Sequence, residues 1–542
     1  MQKDSGYTLP ELSLENCTAT EKKLLAVISE LQAGLSAQSN KIAALEAEIR
    51  RLKKHNDKPK MRPSKLPKNP DEKDQQKKTE SNNAKRSGSS KRQKNKSLTI
   101  DKVAVVPAQD VPPGSRRKGY QDFVVQDLEI KLVVTQYRLE RWQLPDGTYI
   151  IGKLPVELDR QHFGPTLRTY ILHQHHHQGV TQPLVYQQLQ EWGVDISKGQ
   201  LNTILTEKKD RFHDEKKDIL SAGLSVSDYI HVDDTGARHK GQNGYCTHIG
   251  NELFAWFEST RSKSRVNFLE LLRQSAKDYR FTRESFAYMK DYKVASRIID
   301  ALQKLRIKGF KDKKSFEILL KQLNIQSATC RRIVIEAALI GSIMFHDSFS
   351  KNTVIMSDDA GQFNVFQHAL CWIHAERGIT QLLPSNDLQA KAIEWARSEI
   401  WDIYHLLLDY KLKPDKKLRT IIQKRFNAFC RKRTDYYLLN SALKRLQTKK
   451  HALLMVLTRP ETPLHNNLSE RDIREYVKRR KVSGSTRSDE GRKCRDTFAS
   501  LKKTSKKLGI NFWNYLYDRL SAKNHIPPLS ELILEKAALA GK

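Results

Sequence analysis

The sequence predicts an α/β protein: a mixed-sheet core with helical insertions, preceded by a coiled coil, a disordered basic linker, a small β-rich piece and a helical region. Three observations carry that prediction. Apolar, β-prone runs end in acids at Tyr229-Ile230-His231-Val232-Asp233 and Thr353-Val354-Ile355-Met356-Ser357-Asp358. Long stretches of helical pattern separate and follow them, and a late one carries Glu470 within Asn466-Asn467-Leu468-Ser469-Glu470-Arg471-Asp472-Ile473-Arg474. The chain before residue 119 passes from a heptad pattern to a tract almost without apolar residues.

A length of 542 residues suggests several domains. Lysine and arginine number 96 against 62 acids, a formal net charge of +34. A surplus of that size points to a polyanion, DNA or RNA, over a merely soluble basic protein. The six cysteines are scattered and form no CxxC pair, so neither a zinc ribbon nor a disulfide framework is signalled. A reducing, cytoplasmic location is expected. No signal-like apolar stretch follows Met1. The most apolar run, Ile333 to Phe345, contains Glu336 and is too short to span a bilayer, so it reads as a buried helix and no membrane partner is expected.

Within residues 1–54, Leu24, Ile28, Leu31, Leu35, Gln38, Ile42, Leu45, Ile49 and Leu52 alternate steps of three and four. This is a coiled-coil seam with one polar position, and pairing between chains makes a homo-oligomer. Residues 55–118 mix Lys with Pro, Ser and Asn and cannot bury enough surface to offset their ordering entropy. Such a basic linker is either a solvated spacer or a tracker of phosphates. In 119–158, the β-prone runs Ile130–Trp142 and Thr148–Ile151 flank Pro145-Asp146-Gly147, a hairpin signal.

Residues 159–222 read as helical. A helix at 184–192, the turn Gly193-Val194-Asp195-Ile196 and a Ser197-capped helix fit a helix-turn-helix, in which Lys198 and Gln200 reach DNA. Ordinary helical hairpins share the pattern. His173, His175, His176 and His177 suit a helix surface or caps better than a metal, since no acid or cysteine stands at ligand spacing.

The core occupies 223–377, with a helical insertion at about 276–351, and a second helical insertion spans 378–465. A strand ending at Asp233, a hairpin over Tyr245–Ile249 and Leu253–Phe257, and a following helix fit the opening of an RNase H-like fold. Thr353–Ser357 then adds a strand that places Asp358 beside Asp233. Glu470 begins a helix in 466–542 on which Arg474 and Lys478 share its face. Three carboxylates suit Mg²⁺ or Mn²⁺, and two such ions activate the attacking oxygen and stabilise the leaving one at a phosphodiester. Neighbouring Asp234 and Asp359 are rivals, because successive strand residues face opposite ways. Any single Asp at a strand end is more often a turn residue.

These residues resemble the transposases of the insertion sequence 66 family, DDE enzymes with an RNase H-like core. The block from Asn466 to Arg474, continuing through Arg480-Lys481 to Gly491, is similar to that family's third-acid block. Asp233-Asp234-Thr235 and Ser357-Asp358-Asp359 resemble its first and second, and Cys371-Trp372-Ile373-His374 its Cys-Trp-x-His block. The match runs in ordered blocks from about Phe163 to Phe512. The resemblance implies Asp233, Asp358 and Glu470 as catalytic metal ligands, in preference to Asp234 and Asp359. It also implies transposon ends and target DNA as substrates, and accessory proteins of the same element as possible partners. The Cys-rich zinc piece common in the family is not carried over, because Tyr120–Leu154 has no cysteine. Cys371 and His374 are expected to pack and hydrogen-bond, with a zinc pair as the alternative.

Arg471, Arg474, Lys478, Arg480 and Lys481, with the basic residues through Lys503, are expected to hold DNA phosphates. The expected function is DNA transposition by metal-dependent strand cleavage and transfer. The rivals are a nuclease of the same fold that cuts without joining, and a non-enzymatic coiled-coil DNA-binding protein.

Overall fold

Residues 229–234 send alternate side chains to two different layers of helices, and this alternation builds the central sheet. The computed structural model describes residues 99–158 and 161–541. The predicted coiled coil and most of the basic linker lie outside the described residues. The chain divides after Gln126 into two compact units. The described part of the first, residues 99–126, contains no helix or strand.

In the second unit a hairpin comes first. Strands β1 (Arg141–Gln143) and β2 (Tyr149–Ile151) pair with Trp142 opposite Ile150. The predicted turn forms, closed by Gly147 N–H to Leu144 O at 2.9 Å. The strands are far shorter than the run from Ile130 suggested. Val133, Val134 and Tyr137 are exposed, and without burial among the described residues β-propensity alone does not make them strand.

Helices α1 (Pro165–Leu172), α2 (Gln182–Glu191), α3 (Lys198–Thr206) and α4 (Asp210–Ser225) follow. Gly193 takes φ 74° at the α2–α3 turn, a left-handed conformation that favours glycine. Ser197 and Gln200 form a reciprocal capping box on α3.

Strands β3 (Tyr229–Gly236), β4 (Tyr245–Gly250) and β5 (Ala255–Thr260) pair antiparallel. Helix α5 (Arg265–Leu272) leads to the first insertion, which includes α6 (Arg283–Asp291) and α7 (Ala328–Phe345). This segment also contains a two-residue strand pair joining Tyr279–Arg280 to Gly309–Phe310. Strands β6 (Val354–Ser357) and β7 (Gln367–Leu370) then join parallel to β3, giving the order β7-β6-β3-β4-β5.

One sheet face, with Ile230, Val232, Ile249 and Ile355, closes the large core shared with α4, α5 and α7. The other face carries Cys246, Ala255 and Phe257, against Ile473 and Tyr476 of a late helix, and Val354 and Met356 beside Cys371. Helices α8 (Trp372–Thr380), α9 (Asp387–Leu412), α10 (Lys416–Arg431) and α11 (Tyr437–Thr448) form the second helical block. Tyr404 and Phe426 are buried within it.

Helix α12 (Asn467–Ser483) bears Glu470, and α13 (Asp489–Leu508) lies along the outer edge of β5. The unpaired N–H groups of Ser259, Phe257 and Ala255 donate to Asp496, Ser500 and Thr504 at 2.8, 2.9 and 3.2 Å. Steps of two along the strand meet steps of four along the helix, so side chains complete the ladder that another strand would otherwise supply. Helices α14 (Phe512–Leu520) and α15 (Leu529–Leu539) end the described chain. Among the described residues no helix is long and apolar enough to cross a membrane.

Candidate active site

Strand register brings the first two acids together. His231 pairs with Met356 in the parallel β3–β6 ladder, so two residues further along Asp358 comes level with Asp233. Asp233 also stands opposite His248, which packs toward α12. Glu470, in the first turn of α12, therefore approaches the same face of the sheet as Asp233.

The electrostatics agree with this placement. Burial, with smaller contributions from the nearby carboxylates of Asp358, Asp234 and Glu470, pushes the Asp233 carboxyl up to about 7. The N–H of Asp234, donating to Asp233 Oδ1 at 2.7 Å, works the other way. Asp358 Oδ1 accepts the N–H of Ala360 at 3.0 Å in a tight turn. Glu470 Oε1 is buried without a hydrogen-bond partner, and His374 Nε2 lies 3.7 Å from it.

The two rivals point elsewhere. Asp234 accepts from Thr247 Oγ1 at 2.5 Å and Gln362 Nε2 at 2.9 Å on the opposite side of β3, and burial raises its carboxyl. Asp359 forms an ion pair with Lys449.

A buried framework holds α12 against the sheet. Asn466, 1% exposed, accepts at Oδ1 from His231 Nδ1–H at 2.9 Å and donates through Nδ2 to the Val232 carbonyl at 2.9 Å. Its backbone N–H donates to Cys371 Sγ at 3.3 Å, which gives that cysteine a hydrogen-bonding place. Burial raises the Cys371 thiol, so it is protonated. His248 Nδ1 meets Ser469 Oγ at 2.7 Å, and its Nε2 lies 3.3 Å from Asp472. Burial lowers the His248 imidazole against the opposing pull of Asp472. The Asp472 carboxylate also meets Lys507 at 2.7 Å; burial would raise it, but His248 and Lys507 outweigh burial and hold it well below the usual range.

The basic residues divide into two sets. Arg471, Arg474, Lys478 and Lys481 are exposed along α12. Arg480 instead turns onto the end of β3, donating to the Gly236 carbonyl and to Thr235 Oγ1 at 3.3 Å. Lys502 and Lys503 also turn inward, onto Glu475 at 3.1 and 3.0 Å. Lys198 is exposed at the start of α3, its ammonium 5.5 Å from the Tyr186 ring centre, while the Gln200 side chain is occupied by the capping box. The histidine quartet is packing: His173 stacks on His177 at 4.5 Å and His176 on Phe498 at 4.2 Å. Sequence reading missed Asn466 as a framework residue and Arg480 as a brace; the Asn-Asn pair before Glu470 was the available signal.

The donor set suits a hard cation. The carboxylates of Asp358 and Glu470 raise that of Asp233, and a divalent ion would relieve this repulsion; Glu470 Oε1 is without a hydrogen-bond partner. Among the described residues no three His, Cys, Asp or Glu side chains already converge on a single metal position.

A family model described as "Transposase IS66 family" matches residues 333–494, a span that includes Asp358 and Glu470. The chain is also similar to an uncharacterized protein, y4jO, of Sinorhizobium fredii (strain NBRC 101917 / NGR234). The two are 42% identical over 322 residues, covering 59% of this chain and all of that relative.

Proposed function

The chain belongs to the IS66 family of transposases, and from that premise we propose that it cuts and joins DNA strands as a DDE enzyme using Asp233, Asp358 and Glu470. One observation supports the reading: strand register brings Asp358 level with Asp233, and the carboxylates of Asp358 and Glu470 both add to the burial that lifts the Asp233 carboxyl to about 7. The strand order, three antiparallel strands with two parallel strands added beyond the first, supports an RNase H-like core.

In this reading the three carboxylates hold Mg²⁺ or Mn²⁺, ions that supply charge stabilisation to an in-line displacement at phosphorus. The protein's own part is positional. Asn466 fixes the start of α12 to β3, so that Glu470 meets Asp233 at a set separation. Arg471, Arg474 and Lys478 line the exposed side of that helix, where they bind the DNA backbone without reading its sequence. The first strand event frees a 3′-hydroxyl by hydrolysis; the second uses that hydroxyl to displace an oxygen at a target phosphodiester, so the number of phosphodiester bonds is conserved in the joining step.

The test is a strand-transfer assay with the element's own ends, both intact and precut, in Mn²⁺. Asp233→Asn, Asp358→Asn and Glu470→Gln should each lower cleavage and joining about a thousandfold, equivalent to roughly 4 kcal/mol, while end binding persists. Activity in any of the three near that of the unaltered protein removes that residue from the site. Cleavage of intact ends without joining of precut ones would make the protein a nuclease.

A further inference from the structure

The strap that follows β6, residues 358–363, is held from three directions. Asp359 pairs with Lys449 at the end of α11. Gln362 donates to Asp234 on β3 at 2.9 Å. The Gly361 carbonyl accepts from the guanidinium of Arg265, the first residue of α5.

Arg265 is itself held. Its Nη1 donates to the hydroxyls of Tyr288 and Tyr292, at 2.8 and 2.6 Å, both on or beside α6. Tyr288 donates to Glu336 at 2.7 Å, and Arg332 donates to the other Glu336 oxygen at 2.8 Å. Glu336 is fully buried in the middle of α7. A carboxylate in that setting is costly unless paired, and here its partners run through Tyr288 and Arg265 to the strap. Both helical blocks thus reach the same short loop, the first through Arg265 and the second through Lys449.

The turn is tight enough to pass this constraint along. Asp358 Oδ1 accepts the Ala360 N–H at 3.0 Å, and Ala360 is directly bonded to Gly361. Phe363 anchors the far end, buried against Phe268 of α5 with ring centres 5.0 Å apart. We propose that Arg265, held by Tyr288, Tyr292 and Glu336, is a positioning residue that fixes the Gly361 carbonyl and so aims the Asp358 carboxylate. The insertion between the first two acids is then an outer support of the cation site. This rests on the reading of Asp358 as a cation ligand.

The experiment uses the full chain and two variants. Arg265→Lys keeps the charge but loses the planar fork, and Tyr292→Phe removes one hydroxyl while keeping the ring. Amide hydrogen exchange of residues 360–363 is measured without metal, and Mn²⁺ affinity is measured by calorimetry, with Asp358→Asn as reference. Both variants should melt cooperatively, exchange faster in the strap and bind Mn²⁺ about tenfold more weakly, the scale for lost outer-shell support of a ligand. If Arg265→Lys fails to fold, Tyr292→Phe alone decides. Unchanged strap exchange overturns the positioning role whatever the metal data show. Faster exchange with unchanged Mn²⁺ affinity overturns the link to Asp358. Identical Mn²⁺ isotherms for the unaltered protein and Asp358→Asn overturn the parent reading, and the inference with it.

Discussion

The side-chain amide of Asn466 donates to the carbonyl oxygen of Val232, 2.9 Å away, in the residue immediately before Asp233. A helix and a strand separated by more than two hundred residues are thereby locked next to the first acid. Asn466→Ala should destabilise the protein by about 1–3 kcal/mol, because the Val232 carbonyl and His231 Nδ1 both lose their partner in a buried place. Urea denaturation measures this, and a loss below about 0.5 kcal/mol would show that the framework is not needed there.

The rival carboxylates give a sharper contrast than the three acids alone. Asp359→Asn breaks only an ion pair with Lys449, whose partner carboxylate is 52% exposed, and Asp234→Asn retains a hydrogen-bonding oxygen for Thr247. Each should keep cleavage within about tenfold of the unaltered protein, a penalty under roughly 1.4 kcal/mol. A thousandfold loss in Asp234→Asn, with Asp233→Asn active, would reverse the register.

Arg474 and Arg480 lie on one helix yet should respond differently. Replacing Arg471, Arg474 and Lys478 together by alanine should reduce the slope of log affinity against log salt on duplex DNA by roughly 2.7, about 0.9 for each phosphate left without its cation. Arg480→Ala should leave the slope alone and lower the melting temperature, because its guanidinium braces the end of β3. Salt titration and thermal melting separate the two outcomes.

Buried histidines predict the acid limb of stability. Burial, with smaller contributions from Arg479 and Lys493 respectively, holds His175 down to about 3 and His213 down to about 4. In the unfolded chain both titrate near 6.5, so between that value and about 4 the unfolded state binds more protons. Their contribution to stability is therefore full above about pH 6.5 and is lost as pH drops toward 4. His213→Gln should flatten that decline in a melting-temperature series from pH 7.5 to 5, and an equally steep decline would exclude the histidine as a contributor.

Local signals in the sequence were legible where few partners were needed. The Pro145-Asp146-Gly147 turn and the Ser197 cap are made by neighbouring residues, and both form. Ile130 to Leu139 has the composition of a strand, yet its apolar side chains are exposed among the described residues. The choice between Asp233 and Asp234 could be posed from alternation, yet the side on which α12 packs is a long-range fact. Lys503 and Arg480 were indistinguishable from DNA-facing residues in a basic run, because their acceptors lie far away in the chain or on another face of the helix. The roles of Ser500 and Thr504 were hidden for the same reason: in an otherwise polar helix nothing marks a hydroxyl as the partner of a strand.

That ladder of side chains along β5 sets an order of events during synthesis. Ala255 and Thr504 are 249 residues apart, so the outer edge of β5 is made long before the helix that covers it. At the usual elongation rates of about 5–20 residues per second, the edge stays uncovered for roughly 12–50 s. During that time a second nascent sheet presents the same free row of N–H and carbonyl groups. Chains made close together on one message can pair edge to edge before α13 arrives, so yield should depend on translation speed and crowding more than on the stability of the finished protein.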